Sequence, residues 1–351
     1  IKPSMLQFGD KIAIVSLSSG MLGEKFCSHN IEIGVERLKQ FGLEPVFMPN
    51  SLKGIEYLSK HPEKRAEDLK TAFLDNSIKG IICAIGGDDT YRLLPYLMED
   101  KKFIEAVRHS PKLFTGFSDT TINHLMFHRI GMQTFYGPCF ICDLGEIANE
   151  MLPYTKTAFM GYFNDYKTWR IKPSEVWYEE RLDFSNKAIG TERISHKEIH
   201  GYELLQGCDI FEGELLGGCT ESIYDILTST RYADEREICE RYNLFPAKEE
   251  WQGKIMFLET SEEKPSPELL QKELTSIKKT GAFDVINGLI VGKPQDEHFY
   301  EEYKRVYLNI LGSYAFPILY NVNFGHATPR TALPYGARVR VNAKMQLIEF
   351  I

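Results

Sequence analysis

Three residues in this sequence have types and positions suited to bond-making chemistry: a serine, a glutamate and a histidine, each at the end of a short apolar run. Ser118 follows Leu113-Phe114-Thr115-Gly116-Phe117, and Ile122, Leu125, Met126 and Ile130 then return at helical spacing. The pattern is that of a strand turning sharply into a helix with Ser118 at the corner. A serine so placed is lifted clear of its sheet, and the N–H groups of the helix start face the same space. That geometry suits an acyl-transfer nucleophile. An ordinary helix start also accounts for the stretch taken alone, because Ser and Asp are favoured N-caps and Gly-Phe-Ser-Asp departs from Gly-x-Ser-x-Gly. Glu259 closes the run Gly253-Lys-Ile-Met-Phe-Leu, and His326 follows Pro317-Ile-Leu-Tyr-Asn-Val-Asn-Phe-Gly325. The order Ser, Glu, His is one that serine hydrolases use. A serine hydroxyl is a poor nucleophile until an imidazole takes its proton, and a buried carboxylate fixes the tautomer of that imidazole. Spacing alone does not bring the three together, and a lone Glu or His at a strand end is commonly structural.

A second turn bears on the same chemistry. Gly86-Gly87-Asp88-Asp89 ends an apolar run and opens a helix, so its backbone can approach a bound group and aim N–H dipoles at it. With Ser118 as nucleophile, the oxyanion donors expected are the backbone N–H groups of Gly87 and Asp119. A plain tight turn or a phosphate loop is the alternative, but neither Gly-x-Gly-x-x-Gly nor the lysine of a P-loop is present. His124 and His128 stand four apart on one helical face, as zinc ligands can, yet no general-base Glu lies between them. They read as packing or surface histidines. Cys139 and Cys142 have redox-motif spacing without a second pair to complete a metal set, and read as buried thiols.

The elements that must position these residues alternate at an even pace in the first half. Strand patterns at Lys11–Leu17, Glu44–Met48, Ile78–Ile85, Leu113–Phe114 and Thr134–Pro138 are separated by helical patterns at Ile31–Phe41, Arg65–Leu74 and Thr90–Leu97, then the helix after Ser118. Strand and helix in alternation predict a parallel sheet with helices on both faces, and ligand sites at the C-terminal ends of its strands. From about Glu146 to Gly207 the pattern loosens, with Trp169, Trp177, Tyr178 and Phe184 among charged residues. Such a stretch is either a functional loop or a linker. The second half reads as strand, turn and helix start over Phe211–Gly218, then helix at Thr220–Thr228 and a charged segment at Asp234–Tyr242. A strand ending at Glu259, a helix at Pro267–Lys279, a strand region at Phe283–Val291, a helix at Glu301–Leu311 and closing strands follow. The expected organisation is a nucleophile-bearing domain at 1–165, a linker with an aromatic-rich loop at 166–206, and a domain carrying Glu259 and His326 at 207–351.

The chain of 351 residues carries a net charge of −8 with a pI near 5.7, which argues against a nucleic-acid polymer as partner. No uninterrupted apolar run is long enough to span a bilayer, and the first ten residues lack the charged and apolar regions of a signal peptide. Seven scattered cysteines suit reduced thiols, so a cytoplasmic setting without a membrane partner is expected.

Five ordered motifs carry a resemblance. They are Ile85-Gly-Gly-Asp-Asp-Thr-Tyr-Arg-Leu-Leu-Pro-Tyr96, Gly116-Phe-Ser-Asp119, Leu215-Leu-Gly-Gly218, Phe257-Leu-Glu259 and Asn323-Phe-Gly-His-Ala-Thr-Pro-Arg-Thr-Ala-Leu-Pro-Tyr-Gly336. Together, over nearly the whole chain, the sequence resembles the LD-carboxypeptidase family of serine peptidases. The resemblance implies an α/β protein with a flavodoxin-like parallel-sheet N-terminal domain and a smaller mixed, swivelling, barrel-like C-terminal domain, with the site between them, in a homodimer. It implies a triad of Ser118, Glu259 and His326, oxyanion positions at Gly87 and Asp119, and no metal or organic cofactor. Cys219 stands where the family usually carries Asn after Gly-Gly.

The family has two main branches. One trims the terminal D-alanine from muropeptides, and the other resembles the microcin C self-immunity peptidase, which cuts the amide between an aminoacyl group and a modified nucleotide. Chain length, Gly-Gly-Asp-Asp-Thr and the aromatic insertion around Trp177 are similar to the second. The substrate expected is therefore a small peptide or an aminoacyl-nucleotide. An aromatic such as Trp177 or Phe184 would stack on a nucleobase, a contact worth roughly 1–3 kcal/mol, with Gly86 also at the substrate. A muropeptide carboxypeptidase and a non-catalytic binding protein on the same fold are the alternatives.

Overall fold

The computed structural model describes residues 1–351, which divide into two compact units: Ile1–Asp165 with Arg181–Arg193, and Tyr166–Glu180 with Ile194–Ile351. Of the segment read as a linker, 181–193 therefore belongs with the first unit and the remainder with the second.

In the first unit the alternation predicted from the sequence becomes a parallel sheet. Its strands are β1 (Lys11–Val15), β2 (Glu44–Phe47), β3 (Ile78–Cys83), β4 (Leu113–Gly116) and β5 (Thr134–Tyr136), hydrogen-bonded in the order β5-β4-β3-β1-β2. That order is the flavodoxin-like one, with its switch point between β1 and β3. The strands are short and rich in Ile, Val and Phe. Ile12 through Val15, Ile81, Ile82 and Phe114 are fully buried, as two-sided cover by helices requires. The helices are α1 (Ser28–Gln40), α2 (Ile55–Lys60), α3 (Pro62–Leu74), α4 (Leu94–Met98), α5 (Lys101–His109), α6 (Thr121–Ile130) and α7 (Pro153–Met160). The helix expected from Thr90 to Leu97 is instead a 3₁₀ turn at Thr90–Leu93 running into α4. Pro95 supplies no N–H and so fits the first turn of a new helix better than the middle of an old one.

The second unit is built on a mixed sheet. Its strands are β6 (Arg170–Ile171), β7 (Val176–Tyr178), β8 (Ser195–Lys197), β9 (Glu203–Gln206), β10 (Ile210–Cys219), β11 (Ile255–Glu259), β12 (Gly288–Gly292), β13 (Ile318–Val322), β14 (Leu333–Tyr335), β15 (Arg338–Asn342) and β16 (Leu347–Phe350). Eight of these form one sheet in the order β6-β16-β15-β10-β11-β12-β13-β9. Its central strands β10 to β13 are parallel and its flanking pairs antiparallel. β7 and β8 make a separate antiparallel ribbon. The helices are α8 (Thr220–Thr228), α9 (Glu235–Arg241), α10 (Pro267–Lys279) and α11 (Tyr300–Leu311).

Two expectations differ here. Phe211–Gly218, read as strand, turn and helix start, lies within one strand of ten residues, β10, that leads directly into α8. Gly217 and Gly218 do not turn, because both pair in register with Phe257 and Leu258 of β11. The stretch 166–184, which showed no period, holds β6 and β7; at two and three residues these strands are too short to display one.

Candidate active site

The corner at Ser118 is present and strained. Ser118 has φ 67, a left-handed conformation that non-glycine residues adopt at a cost of about 1–3 kcal/mol and that clusters at functional sites. The neighbours over-determine it. The Ser118 N–H donates to the Tyr136 hydroxyl (3.1 Å), and the Thr121 hydroxyl donates to the Ser118 carbonyl (2.7 Å). A 3₁₀ turn at Ser118–Thr120 then leads into α6. Gly86 lies directly against the serine, since a Cβ there would come within 2.8 Å of Ser118 Cβ and 3.1 Å of Oγ. The Gly-Gly turn is thus a wall of the serine's surroundings, and it needs to be bare.

Buried polar bonds tie three loops of this sheet edge together. Asp119 accepts from the Ser18 hydroxyl (2.7 Å) and from the Thr90 N–H (2.9 Å), joining the loops after β1, β3 and β4. Burial pushes the Asp119 carboxyl up to about 6 despite these two bonds. Arg65 of α3 donates to the carbonyls of Leu17 and Ser18 (both 3.1 Å) and to both oxygens of Asp89 (2.7 and 3.2 Å). His124, a packing or surface residue by sequence, is a fully buried brace: its Nδ1 is 2.6 Å from Thr134 Oγ1 and its Nε2 2.9 Å from the Gly116 carbonyl. Burial holds it near 4, so the neutral ring donates to Gly116 and accepts from Thr134.

In the second unit β11 delivers Glu259 to a buried position, and the turn after β13 delivers His326 against it. The His326 Nδ1 is 2.8 and 3.0 Å from the two carboxylate oxygens of Glu259, and the His326 backbone N–H donates to Oε2 at 3.1 Å. A Cβ on Gly325, which has φ 81, would overlap the Glu259 carboxyl; one on Gly292 would come within 2.8 Å of Glu259 Cβ. The acid is therefore held between two bare stretches of backbone. Nε2 of the ring is engaged as well, 2.9 Å from Oε2 of Glu262. Burial by itself would lower the imidazole. The charge of Glu259, the hydrogen bonds to Glu259 and Glu262 and the Glu262 charge outweigh that and raise it to about 10. The hydrogen bond from His326 lowers Glu262 to about 2.

Cys219 pairs in register with Glu259 and is buried beside it, with donor-type atoms of Cys219, Glu259 and His326 all within 4.8 Å of one another. The types could hold a thiophilic cation. In this arrangement, however, the thiol donates to Glu221 (3.2 Å) and the imidazole to Glu259, so each donor is directed to a carboxylate. Burial, with Glu221 and Glu259, raises the thiol well above its usual range. Trp177 on β7 stacks on His196 (4.3 Å, 18°), with the Lys293 ammonium 5.2 Å from its centroid. Phe184, in the segment that returns to the first unit, is 53% exposed, and its carbonyl lies 2.7 Å from His29 Nε2. Sequence reasoning missed Ser18, Arg65, Tyr136 and Glu262. Only Glu262 left a trace, as one of two acids following the strand of Glu259.

A parallel sheet with a strained serine at a strand end, and a mixed unit with a buried acid–histidine pair, are the parts of a serine hydrolase. Residues 12–137 match the LD-carboxypeptidase N-terminal domain and residues 212–341 the LD-carboxypeptidase C-terminal domain, and the chain belongs to this family of serine peptidases. Among solved structures, an MccF-like protein from Streptococcus pneumoniae in complex with AMP is 53% identical, with a TM-score of 0.94 over 98% of this chain and 99% of the other. A probable murein peptide carboxypeptidase of Bacillus subtilis is 26% identical over 97% of this chain and 91% of its own length. The microcin C7 self-immunity protein MccF of Escherichia coli is 24% identical over 88% and 84%. The flavodoxin-like and mixed α/β expectation and the family resemblance hold. No helix is long and apolar enough to cross a membrane.

Proposed function

We propose that this protein is a serine amidase that hydrolyses the C-terminal amide of a small aminoacyl-nucleotide conjugate. The observation that carries the reading is the 53% identity, over nearly the full chain, to an MccF-like protein bound to AMP. In the mechanism, Ser118 Oγ attacks the carbonyl carbon while His326 Nε2 takes its proton. Glu259 holds Nδ1–H and offsets the imidazolium charge. The backbone N–H groups of Gly87 and Asp119 receive the oxyanion, each donor worth about 10²–10³-fold. Collapse breaks the C–N bond, His326 returns the proton to the leaving nitrogen, and water then releases the acyl group by the same steps. Gly86 and the aromatic side chains of Trp177 and Phe184 are the proposed substrate contacts. Of the two rings, that of Phe184 is the more exposed. We further propose that the protein acts as a homodimer in the cytoplasm, needing no metal or organic cofactor.

The test is incubation with an aminoacyl sulfamoyl adenosine and with an LD-tetrapeptide, following products by mass. Cleavage of the first at the acyl–nitrogen bond is expected, and Ser118→Ala should lower the rate by more than roughly 10³-fold. Release of D-alanine from the tetrapeptide alone would assign the protein to muropeptide trimming instead. Tight binding without turnover of either would mark a binding protein.

A further inference from the structure

One contact of the His326 imidazole has no part in the proposed proton relay. His326 can serve Ser118 only through Nε2, and Nε2 is engaged by Glu262. We propose that Glu262 is a specificity-determining residue that exchanges the His326 imidazole for an ammonium group on the acyl side of the substrate. The inference rests on the amidase reading above.

Three features support it. First, Glu262 is held by charge rather than by packing: its side chain is 57% exposed while the imidazole it caps is 8% exposed. It can therefore leave without opening a cavity. Second, three cations nearby have partners of their own, and among them the Nε of Arg330, on the turn that carries His326, donates to the Gly325 carbonyl (2.7 Å). Arg231, beyond α8, ion-pairs with Asp225 of α8 (3.4 Å) and Glu263 (3.2 Å), and its charge also acts on Glu262. Lys264 is paired to Glu180 (2.9 Å) and Asp296 (2.8 Å). Third, the other titratable groups on this side are acids or an acid-bound thiol. They are Glu259 on β11, Glu263 in the loop after it, Cys219 at the end of β10 and Glu221 on α8. A carboxylate released from the imidazole is stabilised by a cation, and a substrate ammonium would bring one. An aminoacyl group with a free α-amine does so within a few bonds of the reacting carbon.

The exchange balances. At rest the ring is imidazolium, with both N–H groups given to carboxylates. The incoming R–NH₃⁺ takes the Glu262 carboxylate, and the ring, stripped of one anion, gives its Nε2 proton to water. The neutral nitrogen then accepts the proton of Ser118. Substrate charge thus switches on the base.

The experiment compares alanyl sulfamoyl adenosine with its N-acetyl counterpart on wild type and Glu262→Gln. Wild type should favour the free amine in kcat/KM by about tenfold or more, the ratio equivalent to about 1.4 kcal/mol. In Glu262→Gln that preference should collapse, and the acid limb of kcat/KM should move to lower pH. An equal preference in both proteins, or an unmoved limb, overturns the proposal. If wild type cleaves neither compound, the amidase reading fails, and NMR titration of the His326 ring still decides the exchange. A midpoint unchanged between wild type and Glu262→Gln would refute it, and a lower midpoint in the variant would uphold it.

Discussion

At the scale of single residues, the candidate site is shaped by what is missing as much as by what is present. Gly86 leaves room for Ser118, and Gly325 and Gly292 leave room for Glu259. Gly86→Ala should therefore lower turnover strongly with only a modest loss of stability, because the added methyl meets the serine side chain itself. Steady-state kinetics beside calorimetry would separate the two effects; near-wild-type activity would show that the serine does not need this wall. As candidates, Ser118, Glu259 and His326 stand out in the sequence because each sits where an apolar run stops, and strand ends are where such sheets place ligand sites. Glu262 does not. Its meaning lies in a contact with a residue 64 positions later, and no local spacing records that.

At the scale of elements, α8, α10 and α11 enclose a buried acidic group behind β11. Glu221 of α8 accepts from the Ser261 N–H, and Glu273 of α10 is 1% exposed with no partner for Oε2. Burial, then Glu221, Asp225 and Glu263, raise the Glu273 carboxyl from 4.5 to about 9. The folded chain keeps this proton over a range in which the unfolded chain has lost it. The residue therefore favours folding less and less as pH rises from about 4.5 toward about 9. Glu273→Gln preserves the shape and removes the titration. Its melting temperature should exceed wild type at pH 9, the gap narrowing toward pH 5; a constant gap would contradict the assignment. The helical period of α10 was readable, but the acid on its inner face was not, because Glu273 counts as polar in any pattern of apolar positions. β10 misled for a related reason. Gly-Gly signals a turn locally, and only the ladder with β11 holds it in the strand.

At the scale of the whole molecule, the chain leaves its first unit at Asp165, comes back for Arg181–Arg193 and leaves again. The returning segment carries a structural purpose. Arg181 and Arg193 grip the buried Glu146 at 2.9 and 2.8 Å, while Arg37 of α1 donates to the carbonyls of Leu144, Glu146 and Ala148. Removing both guanidiniums would leave an uncompensated buried charge, a loss of about 3–5 kcal/mol. Arg181→Ala with Arg193→Ala should lower the melting temperature by several degrees more than either change alone, measured by calorimetry; additive small effects would mean that Glu146 finds water instead. None of this was visible in the sequence, where the same stretch shows only aromatics and mixed charge. For gene shuffling, the middle of this chain offers no clean breakpoint. A junction anywhere between codons 146 and 181 takes the acid from one parent and both of its basic partners from the other, so hybrids joined there split this ion-pair set within the unit that carries Ser118.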